Sequence, residues 1–361
     1  MSLSISKGVA EKNIVNPNID AALAAKRRRQ APSVEELFNG ILSGSRIALA
    51  QGITLVESSL PEHQSKAQEL IQKCLPHTGK SLRIGITGSP GAGKSSFIEA
   101  FGVYLIEEHK KKLAVLAIDP TSQRTKGSIL GDKTRMNMLS AKEDAFIRPS
   151  PSGTSLGGVA QKTRESILLC EAAGYSIILI ETVGVGQSET AVHGMADFFL
   201  LLMLAGAGDE LQGIKRGIME MCDGMAITKC DGQNVVKALA ARSEYQSALH
   251  LFPATPYNWM PRVIATSSMT KEGLPEIWKM LCDYESLVKQ NGWFFQHRKE
   301  QQKNWMESRI RDSIIFDFYN HPIVKKELPI LENAVLEGKE SPFAAAEGLL
   351  KLYFKGCLNF Q

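Results

Sequence analysis

The sequence predicts an α/β fold, a mostly parallel sheet with helices on both faces, preceded by a helical unit and followed by a helical arm. Three observations predict it. From Leu82 onward, short apolar runs of strand length alternate with longer stretches of helical period, as in a parallel sheet covered on both sides. The first of those runs passes directly into a glycine-rich turn and then a helix. Before Leu82, and again beyond about Lys289, strand-like runs give way to helical periodicity.

Taken in order, residues 1–32 mix Asn, Pro, Lys and Ala without sustained periodicity and read as a tail. Residues 33–80 read as an N-terminal helical unit. Ser33 and Glu36 form a capping-box signature, and Val34, Leu37, Phe38, Ile41 and Leu42 recur at helical spacing up to a stop at Gly44. A second helix is expected over 45–58 and a third from Pro61 to about Leu75. Residues 81–288 read as the main α/β domain, with strands over 82–87, 114–119, 176–182, 198–204, 225–228 and 263–265. Helices begin near Lys94, Gly158, Gln212, Gln233 and Leu274. The arm, 289–361, opens on a charged helix from Trp293 through Phe318, and further short helices flank Pro342. Trp293, Phe294, Phe295, Trp305, Phe316 and Phe318 need cover, which the chain's own core or a partner subunit could supply.

Composition narrows the function classes. With 43% hydrophobic and 22% charged residues in 361, the chain can build a packed core. An excess of 42 basic over 38 acidic residues leaves only +4, which does not argue for nucleic acid; Lys26-Arg27-Arg28-Arg29 reads as part of the solvated tail. The six cysteines contain no C-x-x-C pair and the seven histidines no H-E-x-x-H, so no zinc site or disulfide framework is expected. No apolar run approaches the ~18 residues of a membrane span, so no membrane partner is expected. Glu11 and Asp20 break the acid-poor pattern of a transit peptide, which favours the cytoplasm over the mitochondrial matrix.

The turn after the first strand is Gly88-Ser89-Pro90-Gly91-Ala92-Gly93-Lys94-Ser95, a match to G-x-x-x-x-G-K-[ST] at every fixed position. The motif makes the domain a P-loop NTPase. Its glycines let backbone N–H groups converge on phosphates, and the following helix adds the positive end of its dipole. Lys94 then falls between the β- and γ-phosphates, Ser95 ligates Mg²⁺, and Ser96 extends the nucleotide-binding stretch. Acids at strand ends are expected to hold Mg²⁺ or its waters. Asp119 and Glu181 each close an apolar run, and Asp132 lies in a polar loop; such acids can also cap the next helix. Gly184, in Glu181-Thr182-Val183-Gly184, suits a backbone N–H that senses the γ-phosphate.

Thr228-Lys229-Cys230-Asp231 is one substitution from N-K-x-D. A carboxylate at Asp231 accepts from both N1–H and the N2 amine of guanine, a donor pair that adenine lacks, while the Lys229 stem lies along the ring. Ser267, Ser268 and Met269 follow the last strand where a small loop meets the guanine edge. GTP and GDP are therefore the expected ligands.

These stretches together resemble the MeaB/MMAA (ArgK-like) branch of the metallochaperone-type P-loop GTPases. The likeness covers about residues 33–288. It includes Asp119-Pro120-Thr121-Ser122, the run from Gly127 to Met136, the run from Glu181 to Glu189, and Gly208-Asp209-Glu210-Leu211-Gln212-Gly213-Ile214-Lys215. The resemblance implies a homodimeric GTPase chaperone for an adenosylcobalamin-dependent acyl-CoA mutase, usually methylmalonyl-CoA mutase, with a corrinoid adenosyltransferase as a further partner. It also implies that Asp119 and Glu181 serve Mg²⁺ and switching. Gly208, Asp209, Glu210, Gln212 and Lys215 would form a third switch, with Lys215 moving toward the nucleotide or the client. Thr228 departs from the usual asparagine, and Gln123-Arg124-Thr125-Lys126 replaces small residues. Two other readings stay open at this point: a kinase transferring phosphate to a protein acceptor, and a nucleotide-dependent scaffold with negligible turnover.

Overall fold

The computed structural model describes residues 32–118, 136–149, 156–182, 188–206, 216–253 and 255–358. The Ser33 hydroxyl accepts from the Glu36 N–H while the Glu36 carboxylate accepts from the Ser33 N–H, so the capping box opens α1 (Val34–Leu42). Ser45 caps α2 (Arg46–Glu57), and Pro61 occupies the first turn of α3 (Pro61–Cys74).

Seven strands follow: β1 (Leu82–Gly88), β2 (Leu113–Ile118), β3 (Ala145–Arg148), β4 (Ile177–Thr182), β5 (Phe198–Leu204), β6 (Gly224–Thr228) and β7 (Arg262–Ala265). They form one sheet in the order β3-β2-β4-β1-β5-β6-β7, every pairing parallel. Six match expected strands within a residue or so at each end. The edge strand β3 was not expected. Its Ala-Phe-Ile-Arg is too short to separate from a loop by alternation, and it forms because β2 offers a free edge.

Between the strands lie α4 (Lys94–His109), α5 (Asn137–Ser140), α6 (Leu156–Ala172), α7 (Ser188–His193), α8 (Arg216–Met221) and α9 (Val235–Leu249), and α10 (Leu274–Gln290) follows β7. Successive side chains of each strand enter opposite cores. On one face Ala114, Leu116, Ile178, Ile180 and Leu201 pack with α1, α2, α3, α6 and α9. On the other, Ile84, Ile86, Val115, Leu179 and Leu200 pack with α4 and α10. The N-terminal helices thus share the main core of one face.

The arm consists of α11 (Trp293–Asn320), α12 (Pro322–Leu336) and α13 (Pro342–Leu358). At 28 residues α11 is roughly 42 Å long. Of the rings that need cover, Phe294 is buried, Trp293 stacks on Tyr257, and Trp305 donates its indole N–H to the Gly194 carbonyl. Phe318 packs on Tyr353 of α13, while Phe295 and Phe316 stay exposed. The root of α11 is fixed by charge. Arg298 binds both oxygens of Asp197 at 2.8 and 2.6 Å and donates to the carbonyls of Gly79 and Ser81. Beside it, Arg83 pairs with the buried Glu171 through two contacts of 3.0 Å.

Candidate functional site

Because β1 lies between β4 and β5, its carboxyl end meets the end of β4, with Ile86 in register with Glu181. Such a crossover point leaves a crevice at the strand ends. At Gly88 the chain passes so close to β5 that a Cβ would stand 2.3 Å from the Leu202 carbonyl oxygen, so no side chain is tolerated. At Gly93 the backbone turns through φ +78° into α4, and no side chain caps that helix. Its first N–H groups are left for an anion.

Lys94 folds back over this loop, donating to the Gly88 carbonyl at 2.8 Å and reaching that of Ser89 at 3.5 Å. Burial holds its pKa below the ordinary lysine range, while the Glu181 and Glu189 carboxylates pull it back up. A half-buried cation parked on two carbonyls can exchange them for phosphate oxygens. The hydroxyl of Ser89 is buried in the same loop and has no partner among the described residues. Ser95 Oγ donates to Glu181 Oε1 at 3.1 Å, so a hydroxyl and a buried carboxylate converge at the mouth of the loop. Such an all-oxygen pair could hold Mg²⁺, which takes few protein ligands and completes its shell with water and phosphate. Next to it, Thr182 Oγ1 donates to Thr87 Oγ1 at 2.9 Å, tying β4 to β1.

The base-reading residues sit at the ends of β6 and β7. Thr228 Oγ1 lies 2.7 Å from the Ala92 carbonyl and 3.2 Å from that of Met203, linking the base strand to the phosphate loop. Its hydroxyl thus supplies the tie between loops that an asparagine amide would otherwise make. Lys229 adopts φ +57° and lays its stem along the phosphate loop, with Cε 3.9 Å from where a Gly93 Cβ would stand. Asn234 donates to the Lys229 carbonyl, and the Cys230 N–H to that of Thr266. Ser267, fully buried, donates to Asp231 Oδ2 at 2.5 Å and accepts from the N–H groups of Met269 and Thr270 at 3.1 Å. Asp231 is therefore held in a fixed orientation. Ser268 is half-buried and the Met269 side chain exposed.

The structure thus brings together Gly88 to Ser96, Glu181, Thr228, Lys229, Asp231 and Ser267. Asp119, Asp132, Gly184, Gly208, Asp209, Glu210, Gln212 and Lys215 lie outside the described residues. Glu189 was not singled out by sequence, yet it is buried in the first turn of α7 and acts electrostatically on Lys94. Its signal was an acid placed shortly after the Glu181 motif.

A doubly covered parallel sheet, a phosphate loop at its crossover, a lysine and serine facing a strand-end carboxylate, and an aspartate held for a purine edge define a P-loop GTPase. The chain belongs to the family described as "Methylmalonyl Co-A mutase-associated GTPase MeaB", whose model matches residues 49–322. It is similar to the Escherichia coli GTPase ArgK, with 44% identity over 321 residues, 89% of this chain and 96% of that protein. It is 46% identical over 330 residues to the mouse protein described as "Methylmalonic aciduria type A homolog, mitochondrial", covering 89% of this chain and 79% of that one. Among solved structures, a crystal structure titled "LAO/AO transport system kinase" superposes with a TM-score of 0.70 at 37% identity, over 89% of this chain and 97% of that one. Among the described residues no helix is long and apolar enough to cross a membrane.

Proposed function

We propose that this GTPase is a cytoplasmic chaperone of an adenosylcobalamin-dependent acyl-CoA mutase, methylmalonyl-CoA mutase in the first instance. Bound GTP gates loading of the cofactor, and hydrolysis accompanies release or rescue of the client. A corrinoid adenosyltransferase is the natural donor of that cofactor. Support comes from the family description, which names the mutase, and from the mouse relative, which is named for methylmalonic aciduria.

One structural observation favours conformational output over phosphoryl transfer to an acceptor. The strand end bearing Glu181 leads through α7 to the turn 194–197, and the arm grips that turn. Trp305 donates to the Gly194 carbonyl, Gln301 to that of Ala196 at 2.7 Å, and Arg298 binds Asp197. Displacement of α7 at the nucleotide would be felt at the root of α11.

In this reading Ser95 and Glu181, with Asp119 and Asp132 completing the acidic set, would hold Mg²⁺. When bound, it would supply charge neutralisation at the phosphates. Lys94 leaves the Gly88 carbonyl for the β- and γ-phosphates, and Asp231 orients guanine. Gly184 senses the γ-phosphate, and residues 208–215 act as a client-responsive switch through Lys215. The arm, 289–361, joins two copies through its exposed apolar residues, among them Ile314, Ile315, Phe316, Phe343 and Phe354.

The test is capture of purified methylmalonyl-CoA mutase on the immobilised protein, loaded either with a non-hydrolysable GTP analogue or with GDP. Retention that differs between the two states is expected. Equal retention, or none in either state, would overturn the reading.

A further inference from the structure

A cavity of about 1150 Å³, with no phosphate-loop residue in its lining, opens between α1–α3 and the edge strand β3. Leu37 and Phe146 form its apolar floor, and Ile47, 73% exposed, stands at its lip. Every charged side chain that lines it is basic: Arg46, Lys66 and Arg148. Arg148 is already paired with Glu57, so Arg46 and Lys66 supply the uncompensated charge. Two features make this more than a crevice. Strand β3 pairs with β2 alone, and its residues from Phe146 through Arg148 line the cavity in succession. Strand β2, the partner of β3, ends one residue before Asp119, so the cavity's edge strand lies beside the strand that leads to that acid.

We propose that this cavity is a docking site for an acidic, amphipathic segment of the client protein, a proposal that rests on the chaperone reading. Apolar side chains of that segment cover Leu37 and Phe146, and its carboxylates meet Arg46 and Lys66. Charge excludes the chain's own neighbouring segments as the occupant. Pro32, Asn137 and Pro149, which line the cavity, stand within two residues of segments 1–31, 119–135 and 150–155. The first holds six basic and two acidic residues, the second four and two, and the third none of either. None of them brings the negative charge that the walls call for.

The experiment compares the full-length protein with Arg46→Glu/Lys66→Glu, both positions being exposed and outside the phosphate-loop and base-reading residues. Binding of purified methylmalonyl-CoA mutase is measured by calorimetry at low and high salt with the GTP analogue bound. In the charge-reversed protein the affinity should fall about tenfold or more, with a weaker salt dependence and unchanged basal GTP hydrolysis. In a second arm, Ile47→p-benzoylphenylalanine is irradiated in the complex. A cross-link to an Asp- and Glu-rich mutase peptide is expected. Wild-type affinity and salt dependence in the reversed protein would overturn the docking site. Cross-links confined to this chain's own residues, or to a second copy of it, would do the same. If the unaltered protein does not bind the mutase at all, the chaperone reading fails first and takes the docking site with it.

Discussion

Replacing Thr228 by valine keeps the branch of the side chain and removes one hydrogen-bond donor. Thr228 is 2% exposed and the Ala92 residue that accepts from it at 2.7 Å is fully buried, so water cannot take the donor's place. A buried acceptor left unpaired costs about 1–3 kcal/mol, and the valine methyl must also back away from an oxygen at hydrogen-bond distance. The bond joins two buried parts of the fold, so much of the loss belongs to folding stability and should lower the urea midpoint. The remainder belongs to binding, because Ala92 is part of the loop that meets the phosphates. Affinities for GTP and GDP should fall together, by up to roughly tenfold for each 1.4 kcal/mol that reaches the bound state. The preference for GTP over XTP should not change, since Ser267 still holds Asp231. Thr228→Ser keeps the hydroxyl and should restore both properties; Thr228→Asn tests whether an amide can make the same tie. Calorimetric titration of GDP and GTP, with urea unfolding of the four proteins, decides the matter. A valine variant with wild-type midpoint and affinity would refute the inference that Thr228 joins the base strand to the phosphate loop.

Lys94→Ala should weaken GTP binding by at least about tenfold, because it removes the cation held over the loop; unchanged affinity would sink the phosphate-site assignment. Asp231→Asn replaces an acceptor by an amide and should move preference from GTP toward XTP, read as competition in a fluorescent-nucleotide displacement assay. Retained GTP selectivity would remove Asp231 from the base pocket. Burial pushes the pKa of Asp223 up to about 7, although the Tyr257 hydroxyl and Phe199 N–H pull it down. The folded protein therefore keeps this proton after the unfolded chain, near the ordinary value of 3.8, has released it. Stability from this group is full at low pH and is lost as pH rises through about 7. The stability of wild type minus that of Asp223→Asn should decrease over that window; a difference independent of pH would show that Asp223 does not titrate there. His193 and His297, whose burial lowers their pKa values, favour the folded state in the opposite sense, which is why the difference rather than the wild-type curve is the measurement.

The sheet was legible because its central strands are buried on both faces and must be written in continuous apolar letters, as Phe198 to Leu204 are. The phosphate loop was legible because backbone geometry leaves only glycine at Gly88 and Gly93. The base pocket was legible in kind, though not in how Thr228 would serve it. Sequence reading named Thr228 only as a departure from the usual asparagine, whereas its hydroxyl bonds the neighbouring loop at 2.7 Å. Glu189 escaped because an acid in the first turn of a short helix looks like ordinary helix-end chemistry. Its burial beside Lys94 depends on how β4 and β1 pair, which no local window contains.

The arm shows the same limit more sharply. Gln296-His297-Arg298-Lys299-Glu300-Gln301 reads as a solvated face, yet Arg298 and Gln301 are among the buried residues. Together with Phe294 and Trp305 they lie at positions 294, 298, 301 and 305, the spacing of one helical stripe. A search for aliphatic residues passes over that stripe because two of its members are polar and paired and the other two aromatic. Arg298 can be buried only because Asp197 accepts both of its contacts, about a hundred residues earlier in the chain. Gln301 and Trp305 likewise spend their donors on the carbonyls of Ala196 and Gly194. All three partners fall in the turn after α7, the helix that brings Glu189 to Lys94. An aliphatic stripe would bury comparable area but tolerate small slips in register. A stripe of buried donors does not, because any slip leaves a charge or a carbonyl unpaired. The arm is thereby held in one register on the turn that follows α7.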